Sequence, residues 1–334
     1  MIAITMGDGN GVGPEILLKS FMQGELAGDF VAVGDYAVLQ AANEKLGYGV
    51  KMNRLVVADP QKAVEEDVRR VIEGVQPGVL NVADLGLLTA EDVTPGQISA
   101  KVAAASRQYV VWASEAAYLK LFSAVCTLPV NKEAIRLTDP GFTGHTELIA
   151  EICHETRYTM MLASKALTVT HVSTHVSMEQ SVRNCRKERV LEVIELTQDA
   201  LGRFLDRPRI AVAGLNPHAG ENGAFGRQEI EEIAPAVEEA RARGMEVTGP
   251  VPPDTVFLRA YRGEFDAVVC MYHDQGHIPM KLLDFEGGVN VTLGLSVMRT
   301  SVDHGTAYDI AWKGIAKTGS LAAAYDYAVK MQAR

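Results

Sequence analysis

Several things are scarce in this chain of 334 residues. There are four cysteines, Cys126, Cys153, Cys185 and Cys270, widely spaced and without a C-x-x-C pair. That spacing argues against a disulfide framework or a thiolate zinc site and predicts buried, reduced thiols in a cytoplasmic protein. No block of Lys or Arg occurs. With 32 basic against 42 acidic residues the net charge is −10, so the basic face that nucleic acid requires is missing, and any anionic ligand must be held by a few local cations. No apolar run approaches the ~20 residues of a membrane span. The opening "MIAITMGDGNG" lacks the charged start and long apolar core of a signal peptide, so none is expected. Internal repeats and low-complexity linkers are also missing.

What is present is alternation. Short β-branched runs ("MIAITM", "FVAVGD", "SAVCTLPV", "ALTVTHVSTHV", "RIAVAGLNP", "DAVVCMYHD", "GVNVTLGL") read as strands. Longer amphipathic runs between them ("GPEILLKSFMQ", "YAVLQAANEKLG", "KERVLEVIELTQDALGRFL", "SLAAAYDYAVKMQ") read as helices, with Pro14 in a first turn and Gly47 as a stop. Such alternation predicts an α/β protein with a largely parallel sheet. Four polar clusters follow strands: 127–132, 173–178, 214–223 and 271–277. Ligands of open α/β sheets bind beyond the carboxyl ends of strands, so these loops are candidates to line one site.

The turn "GDGNGVGPE" follows a strand and opens a helix, but it fails the G-x-G-x-x-G spacing: the third position is Val12 in one register and Pro14 in the other. It reads as a tight turn whose N–H groups also suit an anion. Of the eight histidines, His171 and His175 fall on one face of an expected strand, the second at its end. His218 lies in the glycine-bearing "NPHAGENG", and His273 directly follows an apolar strand. Three imidazoles from three strand ends have the pattern of an open catalytic metal site. Asp274 is placed either to act as a base or to orient a ligand imidazole. Lys132, Lys281 and Arg299 are the nearby cations, and "TGHTE" offers Thr143, His145 and Thr146 at a helix start, with Thr143 a candidate cap. In "RTSVDHGTAYDIAWKGIAKTGS", Asp303, His304, Thr306 and Asp309 suit a nucleotide; a capped helix start fits equally.

Taken together, "ITMGDGNGVGPE", "FTGHTE", "STHVSM", "GLNPHAGENG", "PPDTVF", "MYHDQGHIPMK" and "GVNVTLGLSVMRTSVDHGTAYDIA" resemble the 4-hydroxythreonine-4-phosphate dehydrogenase family of pyridoxine biosynthesis, over nearly the whole chain. "DHGTAYDIAWKGIA" is also similar to the nucleotide-binding segment of isocitrate and isopropylmalate dehydrogenases. The resemblance implies two α/β/α domains around a cleft, isocitrate/isopropylmalate dehydrogenase-like. The first would comprise 1–125 plus 286–334 with most cofactor contacts, the second 126–285 with the metal ligands and the interface of a homodimer. It implies a divalent metal (zinc, cobalt, nickel, manganese or magnesium) on His175, His218 and His273. Substrate would contact His145, Thr146, Lys281, Asn290 and Arg299, and NAD would contact Gly11, Asp303, His304, Thr306 and Asp309. Asp274 and Lys281 are the candidates for catalytic proton transfer.

"TLPVNKEAI" and "HDQGHIPMK" are closer to a branch acting on 4-phospho-D-threonate or 4-phospho-D-erythronate than to the vitamin B6 enzyme. Two departures stand out: "GDGNG" where the family usually has "GDPAG", and Trp312 where a glycine normally follows "DIA". The implied chemistry is oxidation of a secondary hydroxyl to a β-keto acid that loses carbon dioxide, the metal stabilising alkoxide and enolate. A cis-dihydrodiol dehydrogenase of the terephthalate type, a metal-dependent hydrolase on the same histidines and a non-catalytic binder of sugar phosphates are the competing readings.

Overall fold

The computed structural model describes residues 1–284 and 287–332. Its strands are β1 (Ile2–Thr5), β2 (Phe30–Gly34), β3 (Met52–Val56), β4 (Leu80–Asp84), β5 (Ala124–Thr127), β6 (Thr159–Ala163), β7 (Thr168–His171), β8 (Arg209–Ala213), β9 (Glu246–Val251), β10 (Ala267–Cys270), β11 (Val289–Leu293) and β12 (Arg299–Val302). The helices are α1 (Gly13–Met22), α2 (Tyr36–Leu46), α3 (Glu65–Glu73), α4 (Ala100–Tyr118), α5 (Lys132–Arg136), α6 (His145–Cys153), α7 (Met178–Asn184), α8 (Lys187–Leu201), α9 (Ala234–Ala242), α10 (Pro253–Tyr261), α11 (His273–Leu283) and α12 (Gly319–Lys330). The α/β class expected from the alternation is what the chain adopts.

Two compact units form. The first holds Met1–Thr156 and Leu295–Val329, the second Arg157–Gly294 and the chain from Lys330. The segment 126–156, expected in the second domain, lies in the first unit because β5 pairs in parallel with both β1 and β12. The expected boundary at 285/286 lies outside the described residues.

In the first unit every pairing is parallel, in the order β3-β4-β2-β1-β5-β12. From β1 the chain moves to β2, then to the edge strand β3, returns to β4 between them, and crosses to β5 on the other side of β1. The carboxyl ends of β1 and β5 therefore flank the point where strand order reverses, the place where such sheets bind ligands. β1, β2, β4 and β5 are buried along their whole length, which explains the largely apolar runs of β1, β2 and β5. As expected, α2 ends at Gly47, whose φ of 67° closes the helix in the left-handed region.

In the second unit the order is β11-β6-β7-β10-β8-β9. β6 pairs antiparallel with both neighbours, and β7, β10, β8 and β9 run parallel. Val190, Val193, Ile194, Val212, Val237 and Val269 fill one of its cores. All four cysteines are free and buried, and burial pushes the Cys126 thiol up to about 11 and the Cys185 thiol up to about 12. Among the described residues no helix is long and apolar enough to cross a membrane.

Three local expectations are corrected. The strand read through 166–176 ends at His171, which is buried, while His175 stands exposed in the following loop. Ser173 and Thr174 favour turns over a ladder there. The polar cluster 271–277 is not a loop: α11 starts at His273 and carries Pro279 inside it, so His273 and His277 share a helix face. Finally, 303–318 contains no helix; Ala307 and Trp312 take φ values of 43° and 56° and break any regular run.

Candidate active site

In the first unit, the turn after β1 meets the 303–316 segment. Gly11 is necessary there, since a Cβ would stand 2.8 Å from the Thr306 carbonyl oxygen. The Val12 N–H donates to that same carbonyl at 3.0 Å, and Gly11 N–H and Asn10 N–H both donate to Asp8. These three N–H groups are therefore spent within the protein. The Tyr308 hydroxyl donates to Asp8 Oδ2 at 2.7 Å. Burial raises the Asp8 carboxyl, and burial together with that carboxylate raises the Tyr308 phenol, which stays a neutral donor. Of the expected cofactor residues, Gly11 and Thr306 touch. Asp303 is half-buried with its N–H on Ser320 Oγ, and His304 and Asp309 are exposed. Trp312 is buried, with Lys45 Nζ 5.6 Å from its ring centroid.

Arg299 on β12, Thr127 on β5 and His145 at the start of α6 form a candidate anion site. Arg299 is only 3% exposed. Its guanidinium lies against the Thr127 hydroxyl, the terminal nitrogen at 2.9 Å. Burial lowers it to about 10, still protonated at neutral pH. Beside it, His145 opens α6 with its Nε2 buried and without a hydrogen-bond partner. Burial, then the fields of Arg299 and Lys132, hold this imidazole well below its usual range and so neutral. Thr143 does not cap α6: Gly144 occupies that position, and no side chain caps the helix. A buried guanidinium beside an unsatisfied imidazole nitrogen at a helix start suits a phosphate or carboxylate.

In the second unit, β7, β10 and β8 are parallel neighbours, so the clusters 173–178, 271–277 and 214–223 leave one sheet edge side by side. The loop bases are tied: Gln275 Nε2 donates to the Gly214 carbonyl at 2.7 Å, and Gln275 Oε1 accepts from Met271 N–H at 2.7 Å. The buried Glu229 accepts from the N–H groups of Leu215 and Asn216. His273 Nδ1 lies 2.7 Å from Asp274 Oδ1, so that ring nitrogen is engaged by the carboxylate. His175 and His273 have ring centroids 5.6 Å apart. His218 instead sits in a left-handed run from His218 to Asn222, with its ring 6.3 Å from that of Phe225. Burial drives His171 down to about 3 and so keeps it neutral. Lys281 is half-buried near the end of α11, and Asn290 on β11 places its amide nitrogen 3.2 Å from Met160 Sδ while its Oδ1 is buried without a partner.

A family model described as "Pyridoxal phosphate biosynthetic protein PdxA" matches residues 26–328. The chain belongs to the PdxA family. It is 44% identical over 333 residues to the D-threonate 4-phosphate dehydrogenase of Salmonella typhimurium, covering 99% of this chain and 98% of that one. It is 42% identical over 335 residues to the 4-hydroxythreonine-4-phosphate dehydrogenase of Beijerinckia indica, covering 99% and 95%. The crystal structure of a 4-hydroxythreonine-4-phosphate dehydrogenase from Klebsiella pneumoniae superposes with a TM-score of 0.84 at 43% identity, covering 99% of both chains. The family expected from the motifs is thereby shown.

Within this PdxA-family chain the expected residues fall into two sets. His145, Thr146, Arg299 and the five cofactor residues belong to the first unit; His175, His218, His273, Asp274, Lys281 and Asn290 belong to the second. The three-histidine metal set fits in part. His175 and His273 are neighbours, but among the described residues of one chain no three His, Cys, Asp or Glu side chains converge as ligands. The residues that motif reading passed over are Asp8, Tyr308 and His171; an acid inside a glycine turn after an apolar strand was the available signal for Asp8.

Proposed function

We propose that this protein is an NAD-linked dehydrogenase of a small phosphorylated hydroxy acid, with 4-phospho-D-threonate or 4-phospho-D-erythronate as the leading substrates and 4-phosphohydroxy-L-threonine next. Hydride leaves C3 for the nicotinamide, the hydroxyl proton leaves to a base, and the resulting β-keto acid loses carbon dioxide. The observation that carries this reading is the candidate anion site of Arg299 and His145, which presents one fixed positive charge and one unsatisfied imidazole nitrogen to an anionic group. The substrates named for the relatives, D-threonate 4-phosphate and 4-hydroxythreonine-4-phosphate, carry such a group.

In this reading Arg299, His145 and Thr146 hold the phosphate. Lys281 and Asn290 hold the other polar end and orient the carbinol carbon. Asp274 steadies His273, which leaves Lys281 as the remaining candidate for proton transfer. The 303–309 segment, clamped onto Gly11 through Thr306, supports the dinucleotide. Among the described residues of one chain no three His, Cys, Asp or Glu side chains converge as ligands; the metal reading is that His175, His218 and His273 hold the ion near the interface of a homodimer. No catalytic step is assigned to the metal.

A screen of NADH formation decides the reading, with NAD, added divalent metal and four compounds: 4-phospho-D-threonate, 4-phospho-D-erythronate, 4-phosphohydroxy-L-threonine and a cis-dihydrodiol. NADH formed from a phosphorylated acid, with release of carbon dioxide, supports it. No signal from any phosphorylated acid overturns it, and a signal confined to the dihydrodiol moves the assignment to that class.

A further inference from the structure

Two imidazoles outside the set expected from the motifs lie beneath His273. His277 stacks on it with ring centroids 3.7 Å apart and planes 10° from parallel. His277 Nδ1 lies 3.1 Å from the His273 carbonyl oxygen and 3.2 Å from His171 Nε2. His171 Nδ1 in turn lies 3.3 Å from the Met160 carbonyl oxygen on β6.

Carbonyl oxygens only accept, and that fixes the direction of the chain. His171 Nδ1 carries a hydrogen for Met160, so its Nε2 holds a lone pair. His277 Nδ1 carries a hydrogen for the His273 carbonyl and for that lone pair. Each of these contacts has its donor and its acceptor.

The backbone makes room for the arrangement. Gly276 stands where a Cβ would be 2.7 Å from His171 Nε2 and 2.9 Å from Cys270 Sγ. Both histidines are buried, His171 fully and His277 at 7% exposure. Asp274, which meets the His273 ring at Nδ1, has a side chain 69% exposed, and an exposed carboxylate is a weak tether.

We infer that His171 and His277 are positioning residues: a buried imidazole pair, anchored on the β6 backbone, that fixes the ring plane of His273. The inference deepens the proposed function and rests on its reading of His273 as an active-site group. The rigid sheet sets the height of His171, His171 sets His277, and the flat face of His277 sets His273.

The test uses the full chain without substrate, with histidine ring carbons labelled, and reads the order parameter of the His273 Cδ2–H bond by relaxation. In the parent protein the ring is rigid. His277→Leu, which keeps an apolar filling of the space but no ring face and no donor, lowers the order parameter to below about 0.6, the flexible range. His277→Asn, which keeps a donor near the Nδ1 place, recovers part of it, and His171→Leu lowers it as His277→Leu does. In parallel, His277→Leu lowers kcat on the phosphorylated acid by about 10- to 100-fold, the usual loss for a group that orients a functional imidazole, with KM for NAD unchanged. An unchanged His273 order parameter in His277→Leu overturns the inference. If the parent oxidises no phosphorylated acid, the proposed function fails on that result, while the ring measurement still decides the positioning claim.

Discussion

Tyr308 and Asp8 stand 300 residues apart in the chain and share a hydrogen bond of 2.7 Å. Through it the 303–316 segment is latched to the turn after β1, beside the contact of Gly11 with Thr306. A hydrogen bond to a charged group contributes about 1.5–3 kcal/mol. Tyr308→Phe is therefore expected to raise KM for NAD by roughly tenfold or more while kcat changes little. Steady-state kinetics at saturating acid check this, and an unchanged KM would show that the latch does not serve the dinucleotide.

Gly11→Ala addresses the same junction from the other side. The new Cβ would meet backbone, the Thr306 carbonyl oxygen at 2.8 Å, so turn and segment must part. Overpacking against backbone costs about 1–3 kcal/mol, and thermal unfolding should fall by several degrees. Gly319→Ala, where a Cβ meets nothing within 4 Å, is the control and should melt with the parent.

Asp35, at the end of β2, links stability to pH. Burial raises its carboxyl to about 6, opposed by hydrogen bonds from the Tyr109 hydroxyl and the Leu87 N–H and reinforced by Asp84. An unfolded aspartate titrates near 3.9. The folded state thus holds this proton more tightly, and the stability it contributes is complete below about pH 4 and is lost as pH rises through about 6. At pH 7.5 the loss amounts to about 3 kcal/mol. Relative to the parent, Asp35→Asn should therefore gain stability between pH 4 and 7.5, by thermal or urea unfolding. A difference that stays flat with pH rejects the linkage.

The candidate anion site can be probed with inorganic phosphate. Calorimetry should show Arg299→Gln binding it at least about tenfold more weakly, from the loss of one charge-assisted hydrogen bond. The depressed His145 should respond as well: a bound anion favours the imidazolium, so phosphate should raise its titration midpoint, read from the ring proton by NMR. A His145 midpoint indifferent to phosphate separates the imidazole from the anion.

Chelation tests the metal reading. Dialysis against EDTA should abolish NADH formation, and a divalent metal should restore it. His218→Ala should lose turnover even with metal in excess. Full turnover by that variant sinks the three-histidine set.

The legible part of this protein was its periodicity. β1, α1, β2 and α2 could be read from apolar runs and from Gly47, because burial and capping are local and leave local marks. The family was legible from long motifs. What failed was punctuation. The strand read through 166–176 ran past His171 because alternation continues there, while Ser173 and Thr174 turn the chain. "MYHDQGHIPMK" read as a loop because glycine and proline sit inside what is a helix, where the packing of α11 on β7 and β10 overrides propensity. The Asp8–Tyr308 bond and the His171–His277 pair were invisible for another reason: partners 300 and 106 residues apart leave no spacing pattern in a single sequence.

The first unit closes late. β12 pairs Arg299 with Val125, yet the chain leaves this unit after Thr156 and re-enters it at Leu295. On the ribosome, the β5 edge therefore waits for the whole second unit to be made, roughly 10–30 s at ordinary synthesis rates. An unpaired, largely apolar strand edge invites wrong partners during that time. It also means that a nascent chain of 156 residues has β1 to β5 and His145 in hand but no guanidinium to set beside them, so affinity for an anion appears only with the last tenth of the protein.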